Sequence, residues 1–118
     1  MNILAIAYLG DSVYELYIRR YLLKQGIYKV KDLQKESLKY VSATSQRKHI
    51  ERLLAQNFLK EREIETYKRG RNAHSRSNKS SDIITYKMAT GLECIIGQLY
   101  LDKNYQRLKE IMDFIVEE

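Results

Sequence analysis

Two isolated acidic residues have the type and surroundings that could do chemistry. Asp11 follows the apolar run 4–10, and Glu93 is the one charged residue between Lys87 and Asp102. Because an unpaired buried carboxylate is costly to desolvate, each acid needs a partner. Either each forms an ion pair with a lysine or arginine across the core, or the two meet in space and hold a divalent metal. The spacing alone favours the ion pairs.

A third acid, Glu15, lies one helical turn beyond Asp11 on the same predicted face. Its ordinary role would be an i,i+4 ion pair with Arg19, worth roughly a few tenths of a kcal/mol. The alternative is that Glu15 joins a metal shell directly or through water. The ion pair with Arg19 is the favoured interpretation.

The segment 68–79 is a second candidate site, because it carries five positive residues and no acid. Neutral polar side chains are interspersed among them, and phosphate oxygens accept hydrogen bonds from both kinds of donor. The segment has few aromatic residues, which favours recognition of a duplex backbone over stacking on single strands. The candidate contacts are Arg69, Arg71, Asn72, His74, Arg76 and Lys79. The alternative is a solvated surface loop.

The composition indicates what must position these side chains. The 118 residues include no proline and five glycines, and 44% are hydrophobic, which favours helices around a real core. The single cysteine excludes an internal disulfide and is typical of a reducing cytoplasm. No uncharged apolar run is long enough to span a membrane, and neither His49 nor His74 has zinc-ligand spacing. The net charge of +6 points to a polyanionic partner.

Apolar periodicity and turn residues predict six helices, over residues 3–23, 33–42, 45–56, 59–69, 82–101 and 105–116. Gly26 is expected to end the first helix, Asp32 to cap the second, and Ser42 or Thr44 to cap the third. We find no strand-like alternation, repeat or second domain. The sequence therefore predicts an all-α helical bundle formed by one domain, residues 1–118.

Helical spacing also assigns faces to these helices. One stripe of the first helix comprises Leu9, Val13, Leu16, Arg20 and Leu23. In the second helix, Leu38 and Val41 are expected to face inward. The helix that carries Glu93 is apolar nearly all round, and Gly91 and Gly97 would let another helix approach it closely.

Two motifs around the isolated acids resemble the catalytic domain of ribonuclease III. Residues 8–13, YLGDSV, look like its signature, and residues 92–102, LECIIGQLYLD, resemble its second acidic helix. The Mini-III subgroup is the most similar, since its pattern also includes RGRNA at 69–73 and AT at 89–90. The resemblance covers nearly the whole chain and favours one shared site for the two acids.

The resemblance implies a ribonuclease III-like fold and a homodimeric endoribonuclease that requires Mg²⁺, with Mn²⁺ as a substitute. Asp11 and Glu93 would be the catalytic metal ligands. The substrate would be double-stranded RNA, gripped by the basic segment. Enzymes of this subgroup trim large-subunit ribosomal RNA precursors in bacteria, which implies a cytoplasmic location and products with 5′-phosphate and 3′-hydroxyl ends.

Two positions depart from the full-length family. Where this chain has Ala7 and Thr90, that family has a glutamate and an aspartate, both acids of the metal site. The Mini-III subgroup also lacks them, so the number of metal ions held by the protein is left open. The chain ends before the double-stranded-RNA-binding domain of the full-length enzyme. It also starts at the signature without the preceding helix, as expected for a trimmed or unusually short N-terminus.

Two functions of other classes are also compatible with these residues. A non-catalytic double-stranded-RNA-binding module would keep the basic segment and use Asp11 and Glu93 as structural ion-pair partners. A helical protein-interaction domain would have no RNA partner at all. Cleavage of double-stranded RNA distinguishes the enzyme from both.

Overall fold

The computed structural model describes residues 1–73 and 82–117 and contains six α-helices in those ranges. They are α1 (Ile3–Lys24), α2 (Val30–Val41), α3 (Ala43–Ala55), α4 (Glu61–Arg71), α5 (Ile83–Leu101) and α6 (Tyr105–Val116). No strand occurs in the described ranges. The prediction of an all-α fold is confirmed. None of the described helices is long and apolar enough to cross a membrane.

Side-chain caps explain where several helices begin. Ser42 caps α3 by accepting a hydrogen bond from the Ser45 N–H at 3.2 Å, and Asp82 caps α5 in the same way through Thr85 at 3.0 Å. At the end of α1, Gly26 adopts a φ of 86°, as the sequence predicts.

The start of α2 differs from its prediction. The helix begins at Val30, after the N-cap residue Lys29, so Asp32 lies in the first turn and is not the cap. A carboxylate in the first turn still interacts favourably with the positive end of the helix dipole. The aspartate was therefore a valid sign of a helix start but did not mark its first residue.

Helix α5 is the centre of the bundle, because it packs against α1, α3, α4 and α6. Its buried residues are Thr85, Ala89, Thr90, Gly91, Leu92, Cys94, Ile95, Ile96, Gly97 and Leu99. The prediction that this helix is apolar nearly all round is confirmed. Helix α2 lies at the periphery and has no buried residue.

Glycines let α1 and α5 cross at close range. A Cβ atom on Gly10 would lie 2.7 Å from the carbonyl carbon of Glu93 and 2.9 Å from the amide nitrogen of Gly97. A Cβ atom on Gly97 would in turn overlap the carbonyl oxygen of Ile6, and one on Gly91 would overlap the ring of Tyr67. The predicted close approach at Gly91 and Gly97 is confirmed.

The assigned inner faces were wrong at some positions. Leu38 is 62% exposed, and Leu16 and Leu23 of the predicted α1 stripe are exposed as well. The buried residues of α1 are Ile6, Ala7, Gly10, Val13, Tyr14, Ile18 and Leu22. Apolar residues surround α1, so their spacing fits more than one stripe, and packing against α5 at Gly97 decides which face is buried.

Candidate active site

Asp11 lies on α1 at its crossing with α5. The residue directly follows Gly10, whose missing side chain allows the α1 backbone to touch the α5 backbone at Glu93. We expected Asp11 to lie in a buried helix, but it is exposed. The helix is buried on its Gly10 face only, and Asp11 is at the edge of that face. Asp11 is therefore accessible to a ligand from solvent.

Glu93 lies opposite on α5 and is half-buried. The side-chain amide of Gln46 on α3 donates a hydrogen bond from Nε2 to Glu93 Oε2 at 3.4 Å. The pKa of Glu93 is raised to about 8, first by burial and then by the negative charge of Asp11 and a hydrogen bond between the two carboxyl groups. The hydrogen bond from Gln46 acts in the opposite direction. The structure thus brings Asp11 and Glu93 together.

The interpretation of these acids as structural ion pairs is not supported in the described ranges. Within residues 1–73 and 82–117, neither Asp11 nor Glu93 forms a salt bridge with a lysine, arginine or histidine. Glu15, by contrast, pairs with Arg19 at 2.7 Å, as its i,i+4 spacing favoured. In this structure Glu15 is therefore engaged in its own ion pair.

Gln46 is a residue of this site that sequence reasoning missed. It is only 3% exposed, and besides Glu93 it donates from Nε2 to the carbonyl oxygen of Val41 at 3.1 Å. A signal was available in the sequence, because Gln46 precedes Ile50 by four residues and so extends the apolar stripe of α3. A polar side chain in an apolar stripe indicates a buried hydrogen-bonding role.

The basic segment is only partly described. Arg69 is exposed, and the Arg71 guanidinium lies 5.4 Å from the centroid of the Tyr67 ring, close enough for a cation–π contact. Arg71 also donates from Nε to Asn72 Oδ1 at 3.2 Å. Three further candidate contacts lie outside the described residues: His74, Arg76 and Lys79.

Comparison with known proteins identifies the family of this chain. The Ribonuclease III domain family matches residues 4–104. The chain is 41% identical to Mini-ribonuclease 3 of Streptococcus pneumoniae over 118 residues, which cover 99% of this chain and 92% of that protein. The chain belongs to the ribonuclease III family. Mini-ribonuclease 3 of Staphylococcus aureus is 38% identical, with 98% of this chain and 87% of that protein covered.

A solved structure shares the whole fold of this ribonuclease III family member. A crystal structure of a protein from Fusobacterium nucleatum superposes with a TM-score of 0.87 at 33% sequence identity, over 99% of this chain and 94% of the other. Together with the family match, this superposition confirms the ribonuclease III-like fold. The family match and the Mini-ribonuclease 3 relatives show that the chain is an endoribonuclease of the ribonuclease III type.

The residues at the crossing of α1 and α5 fit a divalent cation that prefers oxygen. Two adjacent carboxyl groups repel each other when both are ionised, and a cation between them removes that repulsion. Mg²⁺ keeps several waters and is commonly held by one or two carboxylates. Within the described ranges, no group of three or more His, Cys, Asp or Glu side chains comes together. The donor set thus suits Mg²⁺ better than a metal that needs an all-protein shell.

The two departures from the full-length family lie beside this site. Ala7 is buried on the α1 face that packs against α5, and Thr90 is buried on α5 one turn before Glu93. The hydroxyl of Thr90 donates to the carbonyl oxygen of Tyr86 at 3.0 Å, which is a bond within its own helix. The side chains of this ribonuclease III family member at positions 7 and 90 therefore bring no carboxylate to the site.

Proposed function

We propose that this endoribonuclease cleaves double-stranded RNA with Mg²⁺ held by Asp11 and Glu93. One observation carries the proposal. The carboxyl groups of Asp11 on α1 and Glu93 on α5 lie together, and neither forms a salt bridge with a described residue. Two such carboxyl groups are kept close only by a shared proton or a bound cation, and a raised carboxyl pKa of this kind is typical of functional sites, so a binding role is a better explanation than a structural one.

The exposed Asp11 and the half-buried Glu93 differ in what each would do. Asp11 faces solvent at the helix crossing and would hold the cation on the side that the RNA phosphate approaches. Glu93 is fixed by Gln46 and would hold the cation from the protein side. Mg²⁺ or Mn²⁺ held there would activate water and stabilise negative charge on the phosphate. The products would carry 5′-phosphate and 3′-hydroxyl ends. Glu15 stays in its ion pair with Arg19 and holds no metal in this proposal.

The basic segment would grip the RNA backbone. Arg69, Arg71 and Asn72 stand at the end of α4, and His74, Arg76 and Lys79 follow along the chain. Each lysine or arginine side chain that contacts a phosphate releases counterions from the RNA, so RNA affinity would fall steeply as the salt concentration rises. The net charge of +6 supports a polyanionic substrate. We propose the ends of large-subunit ribosomal RNA precursors as this substrate, because the relatives reported above are Mini-ribonuclease 3 enzymes.

The enzyme would work as a homodimer of single-domain chains, residues 1–118, in the cytoplasm. Tyr8, three residues before Asp11, is 82% exposed, which is unusual for a large aromatic side chain on a central helix. A two-fold contact through this face of α1 would present one site to each RNA strand. Sedimentation equilibrium should give twice the monomer mass, and a monomer mass at micromolar concentration would contradict the dimer.

The experiment is cleavage of long double-stranded RNA by the wild type, Asp11→Asn and Glu93→Gln. A metal typically contributes several kcal/mol to such a reaction, at about 1.4 kcal/mol per tenfold in rate, so each variant should lose about 1000-fold or more in kcat. Glu15→Gln is the matched control, because Glu15 lies on the same helix but pairs with Arg19. RNA binding in Ca²⁺ should be retained by all variants.

Two results would contradict the proposal. The first is wild-type protein that binds double-stranded RNA but leaves it intact across Mg²⁺, Mn²⁺ and salt concentrations, which would indicate a binding module. The second is cleavage that survives in Asp11→Asn and Glu93→Gln, which would indicate another active site.

A further inference from the structure

We propose that Gln46 is a positioning residue that holds the Glu93 carboxylate in its metal-binding orientation. The inference rests on the proposed function of Asp11 and Glu93 and extends it to a residue on a third helix. Gln46 touches neither the RNA nor the cation in this proposal. It acts through its hydrogen bond to Glu93.

The orientation of the Gln46 amide is set by a backbone acceptor. Nε2 donates at 3.1 Å to the carbonyl oxygen of Val41, which can only accept. The same nitrogen lies 3.4 Å from Glu93 Oε2, so its second hydrogen is available to the carboxylate. Because one end of this bridge is main chain, Gln46 connects the Glu93 side chain to a fixed point of the fold.

That fixed point is secured independently of Gln46. The Tyr14 hydroxyl on α1 donates to the carbonyl oxygen of Tyr40 at 2.7 Å, and Ser42 caps α3 at the same corner between α2 and α3. Tyr14 lies one helical turn beyond Asp11. The corner is therefore tied to the helix of one acid through Tyr14 and to the other acid through Gln46.

Packing alone does not explain an amide at position 46. Burying an amide is unfavourable unless its hydrogen bonds are made, and Gln46 Oε1 forms none with the described residues. An apolar side chain of similar volume would avoid that cost. An apolar side chain could make neither hydrogen bond from Nε2, and of the two it is the bond to Glu93 that orients a carboxylate of the candidate site.

The test is Gln46→Met, which keeps the volume and removes the amide, measured by Mn²⁺ binding without RNA and by cleavage kinetics. Loss of a residue that orients a metal ligand typically costs ~10–100-fold in metal affinity or activity. Mn²⁺ affinity, followed by electron paramagnetic resonance, should fall by that factor. In cleavage, kcat at limiting Mg²⁺ should fall while KM for RNA stays unchanged.

Tyr14→Phe is the matched structural control. It removes a different side-chain bond to the same corner, the one from the Tyr14 hydroxyl, but leaves the Gln46 amide in place, so it should lower the melting temperature without changing Mn²⁺ affinity. If Gln46→Met does not fold, Gln46→Asn replaces it, since its shorter side chain cannot reach both acceptors. Wild-type Mn²⁺ affinity in a folded Gln46 variant would overturn the inference. Equal losses of affinity in Gln46→Met and Tyr14→Phe would also overturn it.

Failure of this inference is distinguishable from failure of the proposed function. If the wild type binds no Mn²⁺, or Glu93→Gln still cleaves RNA, the proposed function fails and the inference fails with it. If those results come out as proposed but Gln46 variants match the wild type, the inference alone fails. In the Glu93→Gln background, Gln46→Met should cause no further loss of Mn²⁺ affinity.

Discussion

Two regions of this molecule each shield a glutamate from water, Glu63 in one and Glu93 in the other. The two regions differ in the charge of the groups next to the glutamate. Between α4 and α6, Glu63 accepts two hydrogen bonds at 2.8 Å from the Arg107 guanidinium. Arg107 also donates to the carbonyl oxygen of Phe58 and to Glu110, at 2.6 and 3.0 Å. Between α1 and α5, Glu93 faces another carboxyl group and an amide.

The pKa values of the two glutamates are therefore shifted in opposite directions. Burial acts to raise the pKa of Glu63, but the hydrogen bonds and positive charge of Arg107 outweigh it and lower that pKa. The pKa of Glu93 is raised to about 8, first by burial and then by Asp11, which adds to the effect of burial instead of opposing it. The Glu63–Arg107 pair is complete without a ligand and holds the fold together. The Asp11–Glu93 pair lacks a compensating charge among the described residues and is suited to binding.

Breaking the Glu63–Arg107 ion pair should have the largest effect on stability. Arg107→Met leaves the Glu63 carboxylate buried without its partner, which typically costs about 3–5 kcal/mol. Urea unfolding measures this loss. The control is Lys109→Met, because Lys109 pairs with Asp113 in an exposed i,i+4 salt bridge that is worth about 1 kcal/mol or less. Equal losses in the two variants would contradict the structural role of the buried pair.

Separating α1 and α5, the helices that carry Asp11 and Glu93, should destabilise the protein less and should specifically affect the candidate active site. In Gly10→Ala the new Cβ meets the Glu93 backbone, and overpacking of this kind costs about 1–3 kcal/mol. The shift should also reduce cleavage. Gly26→Ala is the control, since its cost of about 1–2 kcal/mol comes from a positive φ with no neighbouring atoms. Equal losses of cleavage in Gly10→Ala and Gly26→Ala would show that close packing of α1 on α5 has no specific effect on the active site.

The smallest expected effect is the change with pH in the contribution of Glu63 to stability. A carboxyl group whose pKa is lowered on folding stabilises the protein above its unfolded pKa, about 4.5 for glutamate, and loses this contribution as pH falls through its folded pKa. The difference in unfolding free energy between the wild type and Glu63→Gln should therefore be constant near neutral pH and shrink below pH 4.5. Urea titrations at several pH values measure it. A difference independent of pH down to the acid transition would refute this assignment.

Much of the fold could be predicted because its signals are local. Apolar periodicity, Gly26 and Ser42 located the helices and most of their ends. The start of α2 and the buried face of α1 could not be predicted, since they depend on packing between helices. The buried Glu63–Arg107 pair was missed for the same reason, because its members are 44 residues apart in two polar helix segments.

The candidate site was predicted in a different way. Spacing alone favoured separate ion pairs for Asp11 and Glu93, and only the motifs around them favoured a shared site. The exposure of Asp11 was not foreseen, because it depends on which edge of α1 packs against α5. Gln46 was missed although it occupies an apolar stripe position, since its partners, Val41 and Glu93, become neighbours only in the folded chain.

Chemical unfolding with and without Mg²⁺, in Glu93→Gln and Glu63→Gln side by side, tests the central claim most directly. A ligand that binds only the folded state raises its stability. Mg²⁺ should stabilise the wild type and Glu63→Gln but not Glu93→Gln, and without Mg²⁺ only Glu63→Gln should be less stable than the wild type. If Glu93→Gln is destabilised like Glu63→Gln, and Mg²⁺ stabilises both variants equally, Glu93 is a structural residue and the account of the site is wrong.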